Sequence, residues 1–301
     1  MPQFPDEPPT EPQDERQAEP RDSPPSPHAG LPVPSTPQGQ AGLAALLAAP
    51  ARALIGLDFD GTLAPIVADP ADARALPAAT AAVRRLSGLV GTMAVITGRP
   101  AADAVRFAGL DDVPGVIVLG HYGRQRWEAG VLTSPPPPEG LADARTRLPA
   151  VLASAGAPEG TWIEDKGDAL AVHTRRTADP QAALRRLAGP LRELAAGTGL
   201  AVEPGRMVIE LRGPGADKGA ALKALVGERG AGATMYCGDD LGDRPAFQAV
   251  SELRGRGLPG LVVCASSAEV IELAQAADLV VDGPEGVAAL LAGLARAIEG
   301  G

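Results

Sequence analysis

Two aspartates that close an apolar segment are the strongest chemical signal in the sequence. Asp58 and Asp60 stand in the run D-F-D-G-T of residues 58–62, at the end of a predicted strand over residues 54–59. Carboxylates this close together at a buried sheet edge are costly unless a cation neutralises them, and Mg²⁺ prefers oxygen ligands. One aspartate can attack phosphorus as a nucleophile, and the other can exchange protons with the leaving oxygen and with water. A plain Asp/Gly turn is the alternative interpretation.

Two further positions could bind an anion. Thr97 and Gly98 follow a predicted strand over residues 92–96, where a hydroxyl and backbone N–H groups suit a phosphoryl oxygen. An ordinary helix N-cap would explain this turn equally well. Lys218 opens a predicted helix, where the helix dipole disfavours a cation, so we expect a phosphate or carboxylate partner. An ordinary exposed lysine is the alternative.

A second acidic cluster follows the predicted strand over residues 234–237. Asp239, Asp240 and Asp243 place three carboxylates within five positions, which indicates a divalent cation. A solvated acidic loop is the alternative. With Asp58 and Asp60, these residues form the predicted Mg²⁺ site.

The elements between these motifs alternate between strand and helix. Apolar runs predict strands over residues 54–59, 92–96 and 116–119, and apolar residues at helical spacing predict helices over residues 76–90 and 100–107. Such alternation is typical of an α/β fold, here a Rossmann-like parallel-sheet core. Because ligands bind outside the carboxyl ends of parallel strands, we expect the four motifs to meet in one crevice.

The alternation stops at a proline-rich linker of residues 135–138. Beyond it the sequence predicts a helix ending near residue 154, a hairpin over residues 161–173, a helix over residues 180–196 and two more short strands. The α/β alternation then resumes near Asp217. The predicted division is a core of residues 50–134 and 206–301 with an inserted α+β cap domain of residues 135–205.

The beginning of the chain differs from the rest in composition. Residues 1–40 hold 12 of the 31 prolines and few aliphatic side chains, so we expect a disordered tail over residues 1–45. The formal net charge of −10 argues against nucleic acid as a partner, because a phosphate backbone repels an acidic chain. Anionic small molecules remain possible, because a bound cation and local basic residues set the field at a site.

Cysteine use and hydropathy indicate the compartment. Cys237 and Cys264 each end an apolar run and are expected to be reduced core residues of a cytoplasmic protein. No apolar run precedes Leu43, so we expect no signal peptide. We also expect no membrane association, since no apolar stretch is long enough to span a bilayer. We further expect a monomer.

The order of the four motifs resembles the haloacid dehalogenase superfamily of aspartyl-phosphate phosphatases. The resemblance implies that Asp58 is the nucleophile and that Asp60 is the acid/base, which also offers its carbonyl to Mg²⁺. It implies that Thr97 and Lys218 bind the phosphoryl group. It further implies that Asp239 is the third metal ligand and that the metal loop or its waters are held by Asp240 and Asp243.

Residues 50–298 as a whole look like the trehalose-6-phosphate phosphatase family. Three stretches carry the likeness: D-F-D-G-T-L-A-P-I at residues 58–66, E-D-K-G-D-A-L-A-V-H-T-R at 164–175 and G-R-M-V-I-E-L-R-G-P-G-A-D-K at 205–218. The resemblance implies a cap that closes over the core and contacts the sugar through Glu164 and Lys166. It extends the sugar or phosphate contacts to His173, Arg175, His121 and Glu210.

Two departures from the family pattern concern the substrate. Gly242 precedes Asp243 where the family has a threonine, and Tyr122 stands in the turn of residues 120–123, where the family has a G-x-H-G-like turn. The expected reaction is hydrolysis of trehalose 6-phosphate, the last step of trehalose biosynthesis. The alternatives are another sugar-phosphate phosphatase, a phosphosugar mutase of the same superfamily, and a catalytically idle sugar-phosphate sensor.

Overall fold

Twelve strands form two sheets in the computed structural model, which describes residues 30–67, 69–205, 207–266 and 271–301. In chain order the strands of these residues are β1 (Ala53–Leu57), β2 (Thr92–Ile96), β3 (Val116–Gly120), β4 (Gln125–Glu128), β5 (Val131–Thr133), β6 (Trp162–Asp165), β7 (Ala169–His173), β8 (Ala201–Gly205), β9 (Val208–Arg212), β10 (Ala233–Gly238), β11 (Gly260–Ser266) and β12 (Leu279–Asp282).

Nine α-helices of the described residues cover these sheets. They are α1 (Pro37–Ala48), α2 (Pro77–Ser87), α3 (Ala101–Ala108), α4 (Leu141–Ser154), α5 (Pro180–Thr198), α6 (Lys218–Arg229), α7 (Arg244–Gly255), α8 (Ile271–Ala276) and α9 (Gly283–Gly300). None of the helices within the described part of the chain is long and apolar enough to cross a membrane.

The larger sheet has the strand order β12-β11-β10-β1-β2-β3-β4-β5. It is parallel from β12 to β3, and β4 and β5 add an antiparallel edge that was not predicted. The side chains of β5 are all exposed, so the alternation of hydrophobicity that marks a half-buried strand is missing there. The predicted Rossmann-like α/β core is confirmed.

Alternate residues of the central strands pack on opposite faces of this sheet, as the period of two requires. Ile55 and Leu57 contact one apolar cluster, which α1, α2, α3 and α9 cover. Leu54 belongs to the cluster on the other face, which α6 and α7 cover with side chains such as Leu222 and Phe247. Both faces are therefore buried, and the carboxyl ends of the strands are the open edge.

The register of the parallel strands brings the motifs together. Leu57 is paired with Cys237 on one side and with Val95 on the other. The residues that follow these strands are Asp58, Asp239 and Thr97, so they leave the sheet at the same edge. The expected convergence of the motifs is confirmed.

The smaller sheet is antiparallel, with the strand order β6-β7-β9-β8. Helices α4 and α5 bury one of its faces with leucines such as Leu148, Leu187 and Leu191. The cap boundary expected at residue 205 is wrong, because β9 pairs with both β7 and β8. The cap therefore continues to Arg212: a strand belongs to the sheet that satisfies its backbone hydrogen bonds.

Residues 1–29 of the tail expected over residues 1–45 lie outside the described residues. The last part of that expected tail is helical. Helix α1 begins at Pro37 with Thr36 as N-cap, and it buries Leu43 and Leu46 against the core. The many prolines before residue 37 favoured a prediction of disorder for the whole segment. A proline in the first turn of a helix, however, is itself a helix-start signal. The expectation of disorder is wrong for residues 37–45.

Candidate active site

Side chains from both sheets line one cleft above the carboxyl ends of β1, β2 and β10. The lining contains most of the predicted site residues, namely Asp58, Asp60, Thr97, Gly98, Glu164, Lys166, His173, Arg175, Glu210, Lys218, Asp239 and Asp240. Two predicted residues are not in this lining: His121 and Asp243 are both buried.

Asp58 lies at the bottom of the cleft. Its backbone N–H donates to the carbonyl of Cys237 at 2.9 Å, which continues the pairing between β1 and β10. The residue is only 4% exposed, and Lys218 Nζ lies 2.8 Å from its Oδ1. Burial raises the pKa of Asp58 well above its usual value, and Lys218 opposes that rise. A carboxylate in this position therefore depends on nearby cations.

Lys218 is the first residue of α6, and Asp217 caps the helix by accepting from the N–H of Ala220. The ammonium group contacts Asp58 Oδ1 and Asp243 Oδ1, each at 2.8 Å. Burial alone would lower the pKa of Lys218, but Asp243 and Asp58 outweigh it and raise the pKa well above its usual value. The expected carboxylate partner of this helix-opening lysine is therefore present.

Asp239 faces Asp58 across the cleft. One carboxylate oxygen from each of Asp58, Asp239 and Asp243 falls within 4.8 Å of the others. Burial, and after it the charge of Asp58, raises the pKa of Asp239 to about 10. Gly61 has a positive φ of 73°, and a Cβ there would overlap the Asp239 carboxylate. The chain thus packs this carboxylate against bare backbone.

Asp243 stabilises the loop that carries Asp239. Its Oδ1 accepts from Lys218 Nζ and from the hydroxyl of Tyr236, and its Oδ2 accepts from the N–H groups of Asp239 and Asp240. With four donors on two oxygens, this carboxylate is saturated by protein groups. Asp240 lines the cleft, and one of its oxygens accepts from the N–H of Gly242.

The donor set fits a divalent cation. Asp58 and Asp239 are buried carboxylates, hard oxygen donors that stay protonated or repel each other unless positive charge is supplied. The oxygens of Asp243 have protein partners, so this residue holds the loop in place through hydrogen bonds.

Thr97 and Gly98 lie beside Asp58, and the residue that follows them holds Asp60. Arg99 donates from Nε and Nη2 to the two oxygens of Asp60, each at 2.7 Å. Arg99 Nη1 also donates to the carbonyl of Pro70 at 2.8 Å. The guanidinium thus fixes the Asp60 carboxylate in a bidentate pair at the wall of the cleft.

The cap contributes two polar pairs to the roof of the cleft. Glu164 on β6 contacts His173 Nε2 on β7 at 2.7 Å, and Lys166 Nζ contacts Glu210 Oε2 on β9 at 2.5 Å. Burial would raise the pKa of Glu164, but His173 and Lys166 outweigh it and lower the pKa. One oxygen of Glu210 is buried without a hydrogen-bond partner among the described residues. These groups could bind hydroxyls of a polar ligand.

Arginines of the turn after β7 join the cap to the core. Arg175 Nη1 donates to the carbonyl of Val67 at 2.7 Å, and Arg176 pairs with Asp69 at 2.8 Å. Both acceptors lie in the core segment between Asp60 and α2. Arg175 thus lines the cleft and also holds the cap against the core.

The structure does not support a cleft position for His121. This residue is 2% exposed, and the turn of residues 120–123 places its ring beneath the surface. His121 and Tyr122 both have positive φ, at 46° and 58°, so the chain reverses there and presents Tyr122 to the cleft instead.

The charged and aromatic side chains of the cleft lining that were not among the predicted site residues are Arg99, Tyr122 and Glu203. Arg99 directly follows the predicted Thr97–Gly98 pair, and Tyr122 is a departure from the turn of the family that the chain resembles. Glu203 pairs with Arg212 Nη2 at 2.5 Å, a contact across the β8–β9 hairpin that no local pattern indicates.

Comparison with known proteins identifies relatives of this chain. The sequence model of the family described as trehalose-phosphatase matches residues 56–281. A trehalose-phosphate phosphatase of Mycobacterium avium is 34% identical over 259 residues, which cover 81% of this chain and 62% of that protein. The chain therefore spans less than two thirds of the length of this curated relative.

Solved structures share the fold. The C-terminal domain of a trehalose-6-phosphate phosphatase of Candida albicans superimposes with a TM-score of 0.68 at 23% identity, covering 88% of this chain and 98% of that chain. A trehalose-6-phosphate phosphatase related protein superimposes with a TM-score of 0.62 at 24% identity, covering 79% of this chain and 95% of that chain.

Proposed function

Because the chain belongs to the trehalose-phosphatase family, we propose that it hydrolyses trehalose 6-phosphate to trehalose and phosphate. The observation that carries this proposal is the cleft in which Asp58 and Lys218 of the core face Glu164, Lys166 and Glu210 of the cap. The core supplies groups for phosphoryl transfer, and the cap supplies donors and acceptors for a polyhydroxylated leaving group.

Asp58 is the nucleophile of the proposed reaction. Its oxygen attacks phosphorus, the bond from phosphorus to the sugar oxygen breaks, and an aspartyl-phosphate forms. Lys218 lies 2.8 Å from the attacking carboxylate and can bind the phosphoryl oxygens as charge moves onto them. Thr97 and the backbone at Gly98 support the same group from the adjacent turn. Water then attacks phosphorus and releases Asp58 and phosphate.

Asp60 is the proposed acid and base. It gives a proton to the sugar oxygen in the first step and takes one from water in the second. The bidentate pair with Arg99 fixes both of its oxygens at the cleft wall. Asp60 must therefore turn away from Arg99 to carry a proton to the substrate. A cap that closes on the substrate could drive this turn, because Glu164 enters the cleft near Arg99.

Mg²⁺ is the proposed cofactor. Asp58, Asp239 and the backbone carbonyl of Asp60 would hold it, and Asp240 would hold its waters. When bound, it would neutralise the carboxylates and withdraw charge from the phosphoryl group. Asp243 is proposed to orient the loop, because protein donors occupy both of its oxygens.

The substrate is tested with a panel of sugar phosphates and p-nitrophenyl phosphate in the presence of Mg²⁺. We expect phosphate release from trehalose 6-phosphate to exceed that from the other sugar phosphates. Equal rates on all of them, or no release from trehalose 6-phosphate, would reject the substrate. A product that still carries phosphate and forms only with a bisphosphate activator would indicate the mutase alternative, and ligand binding without any turnover would indicate the sensor.

A cap variant separates the sugar contacts from the chemistry. Lys166→Met removes a cation that contacts Glu210 in the cap and leaves every core residue unchanged. We expect this variant to lose most activity on trehalose 6-phosphate and to keep activity on p-nitrophenyl phosphate, which has no sugar. Equal losses on both substrates would reject a sugar-binding role for Lys166.

Two further proposals concern the oligomeric state and the location of the protein. We propose that the chain acts as a monomer, which light scattering of the purified protein can test. We also propose a cytoplasmic location. The two cysteines support it, because both are buried and free.

A further inference from the structure

The turn that follows β3 is strained and lies next to the cleft. His121 and Tyr122 are consecutive non-glycine residues with φ of 46° and 58°. Left-handed conformations of this kind are unfavourable for residues other than glycine, so the surrounding structure must hold the turn in place. The N–H of His121 donates to the carbonyl of Arg99, and that of Tyr122 donates to the carbonyl of Thr97, both at 2.9 Å. The strained turn is thus bonded to the turn of residues 97–99.

This arrangement aims the side chain of Tyr122 at Gly98. A Cβ built on Gly98 would lie 2.7 Å from the Tyr122 hydroxyl oxygen, so the hydroxyl rests on the bare backbone there. Tyr122 lines the cleft together with Thr97, Gly98 and Lys218. A larger residue at Gly98 would therefore displace the hydroxyl from the cleft.

The ring of Tyr122 is fixed from the cap side. The guanidinium of Arg212 lies over it, with Cζ at 4.6 Å from the ring centroid. Glu203 holds Arg212 through the 2.5 Å ion pair. The position of the hydroxyl is thus determined by a strained backbone on one side and a paired arginine on the other.

The Tyr122 hydroxyl has no acceptor among the described residues. Across the described ranges of the chain, no protein group makes a hydrogen bond with it. Burial, and after it the charge of Glu210, raises the pKa of Tyr122 well above its usual value, so the phenol keeps its proton. Tyr122 lines the cleft, and its hydroxyl is open to the cleft rather than sealed in the interior, so an acceptor on a bound ligand can reach it.

We propose that the Tyr122 hydroxyl donates a hydrogen bond to a non-bridging oxygen of the substrate's phosphoryl group. This inference rests on the proposed phosphatase function, and it adds a binding residue to that site. The phosphoryl group is the acceptor that the position favours, because the hydroxyl lies against the Gly98 backbone and the Tyr122 N–H is bonded to the Thr97 carbonyl, in a cleft that Lys218 also lines. A bond from a neutral hydroxyl to an anionic oxygen is charge-assisted and strong.

The test removes only the hydroxyl. Tyr122→Phe keeps the ring, its contact with Arg212 and the backbone conformation, and Thr80→Val removes a hydroxyl from α2, away from the cleft, as a matched control. Calorimetry of the full chain with Mg²⁺ measures the Kd of orthovanadate, a phosphoryl mimic. We expect Tyr122→Phe to raise that Kd roughly 10- to 100-fold and Thr80→Val to leave it unchanged.

Kinetics provide the second readout. Because the phosphoryl group is common to all substrates, kcat/KM of Tyr122→Phe should fall by a similar factor for trehalose 6-phosphate and for p-nitrophenyl phosphate. An unchanged vanadate Kd would overturn the proposal, and so would a loss confined to the sugar phosphate, which would place the contact on the sugar. If the wild-type chain releases no phosphate from any ester, the proposed function fails, whereas the vanadate comparison still decides the role of Tyr122.

Discussion

At the scale of single residues, Asp58 combines burial with contact to a cation. The residue is 4% exposed, and its carboxylate depends on Lys218 at 2.8 Å. An amide in its place keeps the shape and an oxygen acceptor for Lys218, but it is a far weaker nucleophile. Asp58 thus permits a substitution that tests chemistry separately from folding.

We expect Asp58→Asn to lower kcat by about 10³-fold or more, because no aspartyl-phosphate can form. Stabilisation of the variant by vanadate with Mg²⁺ should remain measurable in a thermal shift assay, since Lys218 and Thr97 are unchanged. Asp111→Asn, an exposed carboxylate in the loop after α3, is the matched control and should retain full activity. Unchanged turnover in Asp58→Asn would refute the nucleophile assignment.

Among the elements of the core, helix α1 is the one that begins in a segment whose proline-rich composition predicts disorder. Gly42 faces β11 so closely that a Cβ would overlap the carbonyl of Gly260. The preceding segment is bonded to the β12 end of the sheet, where the N–H of Ser35 donates to the carbonyl of Asp278 at 2.7 Å. The helix is therefore packed onto the sheet through backbone as well as side chains.

We expect Gly42→Ala to lower the free energy of unfolding by about 1–3 kcal/mol, because the added methyl group must push α1 away from β11. Denaturant unfolding measures the change. Gly227→Ala in α6 is the matched control, since nothing lies within 4 Å of its added Cβ. That control should be neutral or stabilising by up to about 1 kcal/mol, because alanine favours a helix over glycine. Equal stabilities of the two variants would contradict the packing of α1.

At the scale of the whole molecule, the acidic cleft links global stability to pH and metal. Burial raises the pKa of Asp239 to about 10, and that of Asp240 to about 6, from a value of 3.8. In metal-free protein, therefore, Asp239 is ionised in the unfolded state but protonated in the native state across the neutral range. The unfolded state binds fewer protons, so the stability contributed by this group is greatest below pH 3.8 and is lost as the pH rises toward 10.

We expect the stability of the EDTA-treated protein to fall between pH 6 and pH 8 by up to about 1.4 kcal/mol per pH unit from Asp239. Mg²⁺ should raise the Tm more at pH 8 than at pH 6, because binding requires the deprotonated carboxylate. Asp239→Asn should flatten the metal-free slope and remove the Mg²⁺ effect, whereas Asp111→Asn should change neither. A metal-free stability that rises with pH over this interval would be inconsistent with a protonated Asp239.

Local sequence patterns are sufficient to predict the α/β core and the convergence of its four motifs. Asp58, Thr97 and Asp239 directly follow apolar strands, and parallel strands end at one edge, so local pattern and fold chirality were sufficient to bring them together. The helix start at Lys218 likewise implied an anionic partner, and Asp58 and Asp243 provide it.

The ion-pair, strand and packing partners of these segments depend on tertiary contacts. The pair between Arg99 and Asp60, the assignment of β9 to the cap sheet and the packing of α1 onto β11 join segments that are distant along the chain. The burial of His121 and the exposure of Tyr122 to the cleft depend on two consecutive left-handed residues, which single-sequence patterns do not predict. Contacts of this kind are decided by how the elements pack, whereas sequence periodicity reports only which face of each element is apolar.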